Sequence, residues 1–445
     1  MTKICIIGGG ISGLSIARKK KHEGNKIKLL ESSGRIGGVI ESVREGGYLL
    51  DYGANTLNVR LKSTKSILEN CDAWSSSIEA NSLANKRMIV KNGKLIALPS
   101  SFGSFMKSPF LSAKGKFRIL LEPFVKKSTE QENESVASFF SRRFGNEVLQ
   151  YAANPFLAGI YAAKPESLSL NETFPTISSL EKEYGSIVLG LLKTRKDKIN
   201  THLRRSKLIS YAGGMEELIG KLSSSIKNEI HLNHEVLKVE RKGNNMWKLL
   251  YNHKNKLFEE VFDQLISTVP SHKINSIKWD NVIKGEKLDI LTKAKHYPLT
   301  LVFLGFPRKM IAHPLDGFGF LVPECENLNI LGTLFSSTLF PERAPKDHVL
   351  LTTFVGGERK PGLTLLPDSE IFSIVVKELN KLLGLKGNPS FKSLKKWEQA
   401  IPLPDKSMKH RKNAASELQE ANEGLFFCGS FLSGVSLPNC LEMPY

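Results

Sequence analysis

No stretch of this 445-residue chain approaches the roughly 18 uninterrupted apolar residues that a membrane-spanning helix requires. Its longest apolar run, LTLVFLGF at 299–306, has strand length, so any membrane association is expected to be peripheral. The opening MTKICIIGGG leaves no room for a signal or transit peptide, which reads as an unprocessed, cytoplasmic protein of bacterial type. Cysteine is scarce. Cys5, Cys71, Cys325, Cys428 and Cys440 show no CxxC spacing, which excludes a metal-ribbon or disulfide framework; Cys5 and Cys428 are expected in packed strands. Acids are outnumbered, 44 against 63 Lys and Arg, giving a formal charge of +19. The basic runs RKKKHEGNKIK (18–28) and KTRKDKINTHLRRSK (193–207) lack regular aromatic interleaving, so no nucleic-acid partner is expected. A Lys/Asn-rich background accounts for the charge, with anionic lipid and an anionic substrate as the functional explanations. Internal repeats, Ser/His/Asp triads, paired carboxylates and metal-ligand sets are also missing, and the ten histidines are scattered.

What is present begins at residue 3. KICII is an apolar strand that runs into Gly8-Gly9-Gly10-Ile11-Ser12-Gly13; a helical pattern (Leu14, Ile16, Ala17) follows up to Gly24, then a second strand, KIKLL, ending at Glu31. Strand, glycine turn, helix, strand and acid is the order a dinucleotide demands. The glycines permit a tight turn, backbone approach to a pyrophosphate and close helix–strand packing, while the helix N-terminus offers unpaired N–H groups. Glu31 is placed to accept from ribose hydroxyls and would repel a 2′-phosphate. A second glycine loop, ESSGRIGG, follows at once, and one pyrophosphate has no use for it. There Arg35 reads as a charge-assisted donor to a further phosphate, and Gly37 and Gly38 as points of backbone approach.

Downstream, SFMKSPFLSAKGKFRILLEPF, SVASFFSRRFGNEVLQYAANPFLAG and SSLEKEYGSIVLGLLKTRKDK carry helical periodicity broken by Pro and Gly. Strands resume over 229–270, with a turn at Gly243-Asn244-Asn245, and again at 299–306, 328–336 and 349–356. A helix is expected near 369–384, and GLFFCGSFLSGVSL reads as a strand running into a Gly/Ser turn. The fold class is mixed α/β.

GGGISG, Glu31 and the ExxxRxGG continuation resemble the flavin-containing amine oxidase superfamily, in which the first loop holds the adenine half of FAD and the second wraps the flavin half. DYGAN (51–55) resembles its next flavin-proximal turn. Within that superfamily, NPFLAGIYAAKPESLSLNETFPTISSLEKEYGSI (154–187), GFGFLVPE (317–324), LGTLFSSTLFPERAP (331–345), TTFVGGERKP (352–361), WEQAIPLP (397–404) and GLFFCGSFLSGVSLPNCLE (424–442) are similar to the oxygen-dependent protoporphyrinogen oxidase family. Bacterial relatives that oxidise coproporphyrinogen III share most of these blocks.

The resemblance implies a discontinuous Rossmann-like FAD domain (1–85, 206–270 and 395–445), a sheet-based substrate domain (86–99 and 271–394) and an inserted helical, membrane-facing domain (100–205). For FAD it implies Gly8, Gly10, Ile11, Ser12, Gly13, Glu31, Ser32, Arg35, Gly37, Gly38, Gly53, Ala54, Asn55, Val236, Trp397, Gly429 and Val435. For the porphyrinogen it implies Arg87 pairing with a propionate, Leu321 and Leu334 sandwiching pyrrole rings, Phe354 stacking on another, and the main-chain carbonyls of Gly159 and Ala162 near the reacting C–H. The implied reaction is a six-electron oxidation with dioxygen or another electron acceptor, in contact with anionic membrane and neighbouring haem-pathway enzymes. No side chain is singled out as acid or base. Two rivals share the scaffold: an amine oxidase or carotenoid-type desaturase, and a flavin-free binding module like Rab GDP-dissociation inhibitors. One departure stands out, because relatives continue past CLE into a helix aimed at the FAD phosphates, whereas here Pro444 would disrupt it.

Overall fold

A computed structural model of the chain describes residues 1–128, 133–194, 202–243, 246–280 and 285–443. Asn244, Asn245 and Pro444, which entered the expectations above, lie outside the described residues. The fold is mixed α/β, built around two main sheets.

The first sheet has five parallel strands in the order Ile230–His231, Lys26–Leu30, Lys3–Ile7, Gln264–Ser267, Leu425–Phe427. KICII is uninterrupted because both of its faces are covered: Ile4 and Ile6 pack with Leu14, Ile16 and Ala17 of the helix Ile11–His22, while Cys5 and Ile7 pack with Trp247, Leu249 and Tyr251. Those three residues belong to a four-stranded layer ordered Lys256–Phe262, Met246–His253, His234–Lys242, Lys278–Asp280. Cys5 is buried inside the first strand and Cys428, also buried, directly follows the last; all five cysteines are free thiols.

The large sheet is ordered Phe391–Trp397, Leu299–Pro307, His348–Gly356, Ile330–Phe335, Gly319–Leu321, Arg87–Lys91, Lys94–Ala97. Alternate residues (Met88, Val302, Leu304, Phe306, Phe320, Phe335) face the helix Asp368–Leu383 through its Ile371, Val375 and Leu379. The helix stops at Gly384, which takes the left-handed conformation a C-terminal cap requires. Between Ala97 and His202 the described residues hold helices and no strand, only an isolated bridge from Ser135 to Ser169.

The expected boundaries need three corrections. Residues 271–294 join the first-sheet layers: Lys278–Asp280 pairs with Lys238–Glu240, and Ile274, Trp279, Leu291 and Ala294 share the core of Trp247. A boundary at 395 would cut Phe391–Trp397, which pairs along its whole length with Leu299–Gly305. Residues 202–205, assigned above to the helical insertion, begin the strand His202–Tyr211, which joins Leu57–Leu61 and Ser77–Glu79 in a small sheet. The closing segment also differs. After Leu425–Phe427 come two short helices, Ser430–Ser433 and Leu437–Leu441, where a simple turn was expected.

Candidate functional site

Because the first sheet is wholly parallel, the C-terminal ends of its strands share one edge, and Gly8, Glu31, Thr268 and Cys428 follow those ends. At Gly8 the chain turns with φ +106°, and Gly13 sits so close that a Cβ on it would lie 2.0 Å from the Gly8 carbonyl oxygen. Gly10 is the opposite case. A Cβ there would meet nothing within 4 Å, so the turn faces open space at the start of the helix Ile11–His22. That helix has no side-chain cap and no acid in its first turn, while Lys19, Lys20, Lys21 and His22 complement its other end. Ile11 and Ser12 are both buried. An open cradle and uncapped N–H groups fit a pyrophosphate.

Glu31 does more than was expected of it. Its carboxylate accepts from Gly9 N at 2.7 Å and from Ser33 N at 2.8 Å, tying the first loop to the second; Ser32 beside it is exposed. The loops are also joined directly, since Gly37 N donates to Gly9 O at 2.8 Å and Gly10 bridges Gly37 in parallel register. Arg35 departs from its expected role. Its guanidinium turns into its own loop, donating to the carbonyls of Ile36 (3.2 Å), Ile40 (3.1 Å) and Gly38 (2.6 Å) and pairing with Glu41 at 3.5 Å. Carbonyls crowded at a tight turn are what a five-donor fork satisfies, so Arg35 fixes the shape of this loop.

The DYGAN turn closes on the same place, where a Cβ at Gly53 would lie 2.1 Å from Val39 O; Ala54 follows, and Asn55 donates to Gly53 O. Asp51 is structural, accepting from Met215 N at 2.9 Å and pairing with Arg343 at 3.0 Å. Val236 is buried on the neighbouring layer, two residues past His234, whose N–H donates to Glu31 O. Gly429 turns with φ +146° after the last strand, and Val435 is half-buried between the two closing helices. Trp397 stands apart at the end of the large sheet, connected through its Nε1, which donates to Tyr52 O at 2.9 Å.

The strand register gathers the substrate candidates. Arg87, Gly319, Leu334 and Thr352 are successive cross-strand partners, and so are Ile89, Leu321, Gly332, Phe354 and Leu301. Directly paired residues, and residues two apart on a strand, share a face. Arg87, Leu321, Leu334 and Phe354 therefore lie on one face of the large sheet, opposite the helix Asp368–Leu383. The helix Asn154–Tyr161, which continues a π-turn at Leu149–Ala153, approaches this face so closely that a Cβ on Gly159 would lie 2.7 Å from Leu321 Cδ2. Arg87 is exposed, its guanidinium stacks 4.8 Å over Phe318, and among the described residues no carboxylate pairs with it. Neighbouring Lys86 is already paired, with Asp316 at 2.6 Å.

Ala162 does not fit its expected role. It is buried with φ +53°, and its carbonyl accepts from Glu358 N at 2.7 Å, so it faces the 356–358 loop. The GGER segment, quoted above only as part of a block, holds both ends of that helix. Glu358 accepts from Lys164 N at 2.7 Å and from Tyr297 OH at 2.9 Å, and burial and this carboxylate push Tyr297 up to about 12. Arg359 donates to the carbonyls of Val322 (2.6 Å) and Asn154 (3.1 Å), and burial lowers it to about 10. Polar positions flanking an apolar strand were the available signal, but the partners lie about 200 residues away.

The sequence profile described as Flavin containing amine oxidoreductase matches residues 11–442. The chain is 33% identical over 468 residues to the mitochondrial protoporphyrinogen oxidase of Nicotiana tabacum, covering 99% of this chain and 92% of that protein. It is 26% identical to the coproporphyrinogen III oxidase of Bacillus subtilis (strain 168), covering 99% and 95%. A crystal structure of reduced UDP-galactopyranose mutase shares the fold with a TM-score of 0.73 at 16% identity, covering 99% of this chain and 92% of that one.

Proposed function

The chain belongs to the flavin containing amine oxidoreductase family and is an FAD-dependent oxidoreductase; from that premise we propose that it oxidises protoporphyrinogen IX to protoporphyrin IX in haem synthesis, with dioxygen as acceptor. The observation that carries the substrate is the large-sheet face, apolar at Leu321, Leu334 and Phe354, with one unpaired guanidinium at its edge. A porphyrinogen has apolar faces and anionic propionates, and that face matches it in kind. Coproporphyrinogen III, with four propionates, is the second reading, favoured by the similarity to the Bacillus subtilis oxidase.

FAD, when bound, supplies the hydride acceptor. The first glycine turn and the N-terminus of Ile11–His22 hold its pyrophosphate, and the second loop and the DYGAN turn hold the flavin half. Arg87 orients the macrocycle by its propionate, Leu321, Leu334 and Phe354 keep water from its rings, and Glu358 and Arg359 fix the helix that covers it. The test is aerobic incubation of the FAD-reconstituted protein with each porphyrinogen, following porphyrin fluorescence above the autoxidation blank. Protoporphyrinogen is expected to turn over preferentially; preference for coproporphyrinogen replaces the first reading with the second. Arg87→Ala is expected to raise KM about 10- to 100-fold, the loss of one charge-assisted contact, with kcat little changed.

The same reading places the protein peripherally on the cytoplasmic face of a bilayer. Phe102, Phe117, Leu120, Phe124, Leu189 and Leu192 of the helical block are exposed, with Lys107, Lys114, Lys116 and Lys193 on the same elements. Among the described residues no helix is long and apolar enough to cross a membrane. Co-sedimentation with phosphatidylserine-containing vesicles is expected to fall as salt rises, and Phe117→Glu with Phe124→Glu to reduce it about tenfold or more. Binding indifferent to salt, lipid charge and both substitutions removes this placement.

A further inference from the structure

One cation on the substrate-facing side of the large sheet is neither free like Arg87 nor a simple ion pair. Lys395 is paired with Leu301, and Leu301 with Phe354, so it shares their face. Its ammonium lies 4.8 Å from the centroid of the Tyr52 ring and 4.9 Å from that of Trp397, and 3.2 Å from Glu41 Oε2. Both rings are tied to the cofactor loops, Tyr52 through the DYGAN turn and Trp397 through its bond to Tyr52 O. Glu41 closes the second glycine loop and also pairs with Arg35. Two aromatic rings converging on one ammonium make the arrangement by which proteins bind amines, and here the chain fills it with its own side chain.

We propose that Lys395 is a positioning and specificity-determining residue: its ammonium occupies the Tyr52–Trp397 pair, locks both rings to the second glycine loop through Glu41, and denies that pair to amines. The proposal needs FAD in its loops but not the porphyrinogen reading, and its test measures cofactor binding, so the two fail independently. In Lys395→Ala the rings lose their common partner, and the FAD dissociation constant, measured by fluorescence titration of the apoprotein, is expected to rise about tenfold.

Adding ethylammonium is expected to restore the lost affinity saturably in Lys395→Ala and to do nothing to the wild type. Lys395→Arg, which keeps the cation, should stay within about twofold of wild type in FAD affinity and in tryptophan emission. Lys395→Met, which keeps the stem and fills the gap, is expected to lose affinity without rescue. Wild-type affinity in Lys395→Ala, or a loss that neither ethylammonium nor arginine repairs, overturns the proposal. If Lys395→Ala fails to fold, the Met and Arg variants carry the same decision, since equal behaviour of the two overturns it.

Discussion

Gly13→Ala is expected to yield a colourless protein. The new methyl would sit 2.0 Å from the Gly8 carbonyl oxygen and 2.9 Å from Thr268 Oγ1. The first obstacle is backbone, fixed by the strand Lys3–Ile7 on one side and by the buried face of Ile11–His22 on the other, so neither can yield without opening the sheet. Overpacking of this kind costs about 1–3 kcal/mol or more, roughly 5- to 150-fold in FAD affinity if the strain falls wholly on the cofactor-competent turn. Gly10→Ala supplies the control, because its methyl meets no protein atom within 4 Å. Its apoprotein should melt like the wild type, yet it too should bind FAD weakly, since the space it fills is the pyrophosphate's. Titration of both apoproteins with FAD, alongside thermal melts, separates the two effects; Gly10→Ala binding FAD normally would move the pyrophosphate away from this turn.

The second large effect is remote from the cofactor. Arg143 is fully buried in the helical block, donating through Nε to Glu181 at 2.8 Å and through NH1 to Glu122 at 3.1 Å, both carboxylates being buried as well. Arg142 extends the network to Glu134 by two parallel bonds of 2.9 and 2.8 Å and to Glu181 at 3.0 Å. Glu122 also accepts from Ile187 N and Val188 N, so it caps the helix Ile187–Lys193. Arg143→Met leaves the buried Glu122 without its cation and Glu181 with Arg142 alone, and stranding a buried charge typically costs about 3–5 kcal/mol. Urea unfolding should show that loss, and limited proteolysis should cut first within 102–193. Adding Glu122→Gln to Arg143→Met should recover part of it, because the stranded charge is then gone.

Acid acts on the same network. Burial pushes the Glu181 carboxyl up, but hydrogen bonds and charges from Arg142 and Arg143 outweigh it, so the group sits below its ordinary 4.5. A carboxyl depressed by folding stabilises the folded state above its unfolded value, and that contribution is lost as pH falls through the folded one. The helical block should therefore loosen below pH 4.5, followed by far-UV circular dichroism, and Arg143→Met should shift that transition to higher pH.

Much of the cofactor end was legible in the sequence because its physics is local. A strand, a glycine turn, a helix and an acid within about thirty residues of one another can be read without knowing anything distant. The large-sheet strands were legible for a related reason, since Leu299–Pro307 is buried on both faces and thus uninterrupted. The helix Met408–Ala421 was missed. Its buried positions, Met408, Arg411, Ala414, Ala415 and Leu418, have helical spacing, but two are alanine and one is an arginine neutralised by Asp405. Arg143 and Lys395 were invisible as functional residues for one shared reason: what each does is set by partners that only the folded chain brings near.

The place of Leu425–Phe427 at the end of the first sheet has a consequence for how the protein is made. The strand Lys3–Ile7 leaves the ribosome first of its sheet, but the sheet takes its fourth strand from 264–267 and its fifth from 425–427. At roughly 5–20 residues per second, about 20–80 s of translation separate the first strand from the last. The glycine turn is thus among the earliest parts synthesised and among the last to become useful, and the nascent chain must keep Ile4 and Ile6 from other partners in the interval. Flavin capture then waits for the fifth strand, and the yellow colour of a polypeptide still attached to the ribosome should appear only once residue 427 has emerged.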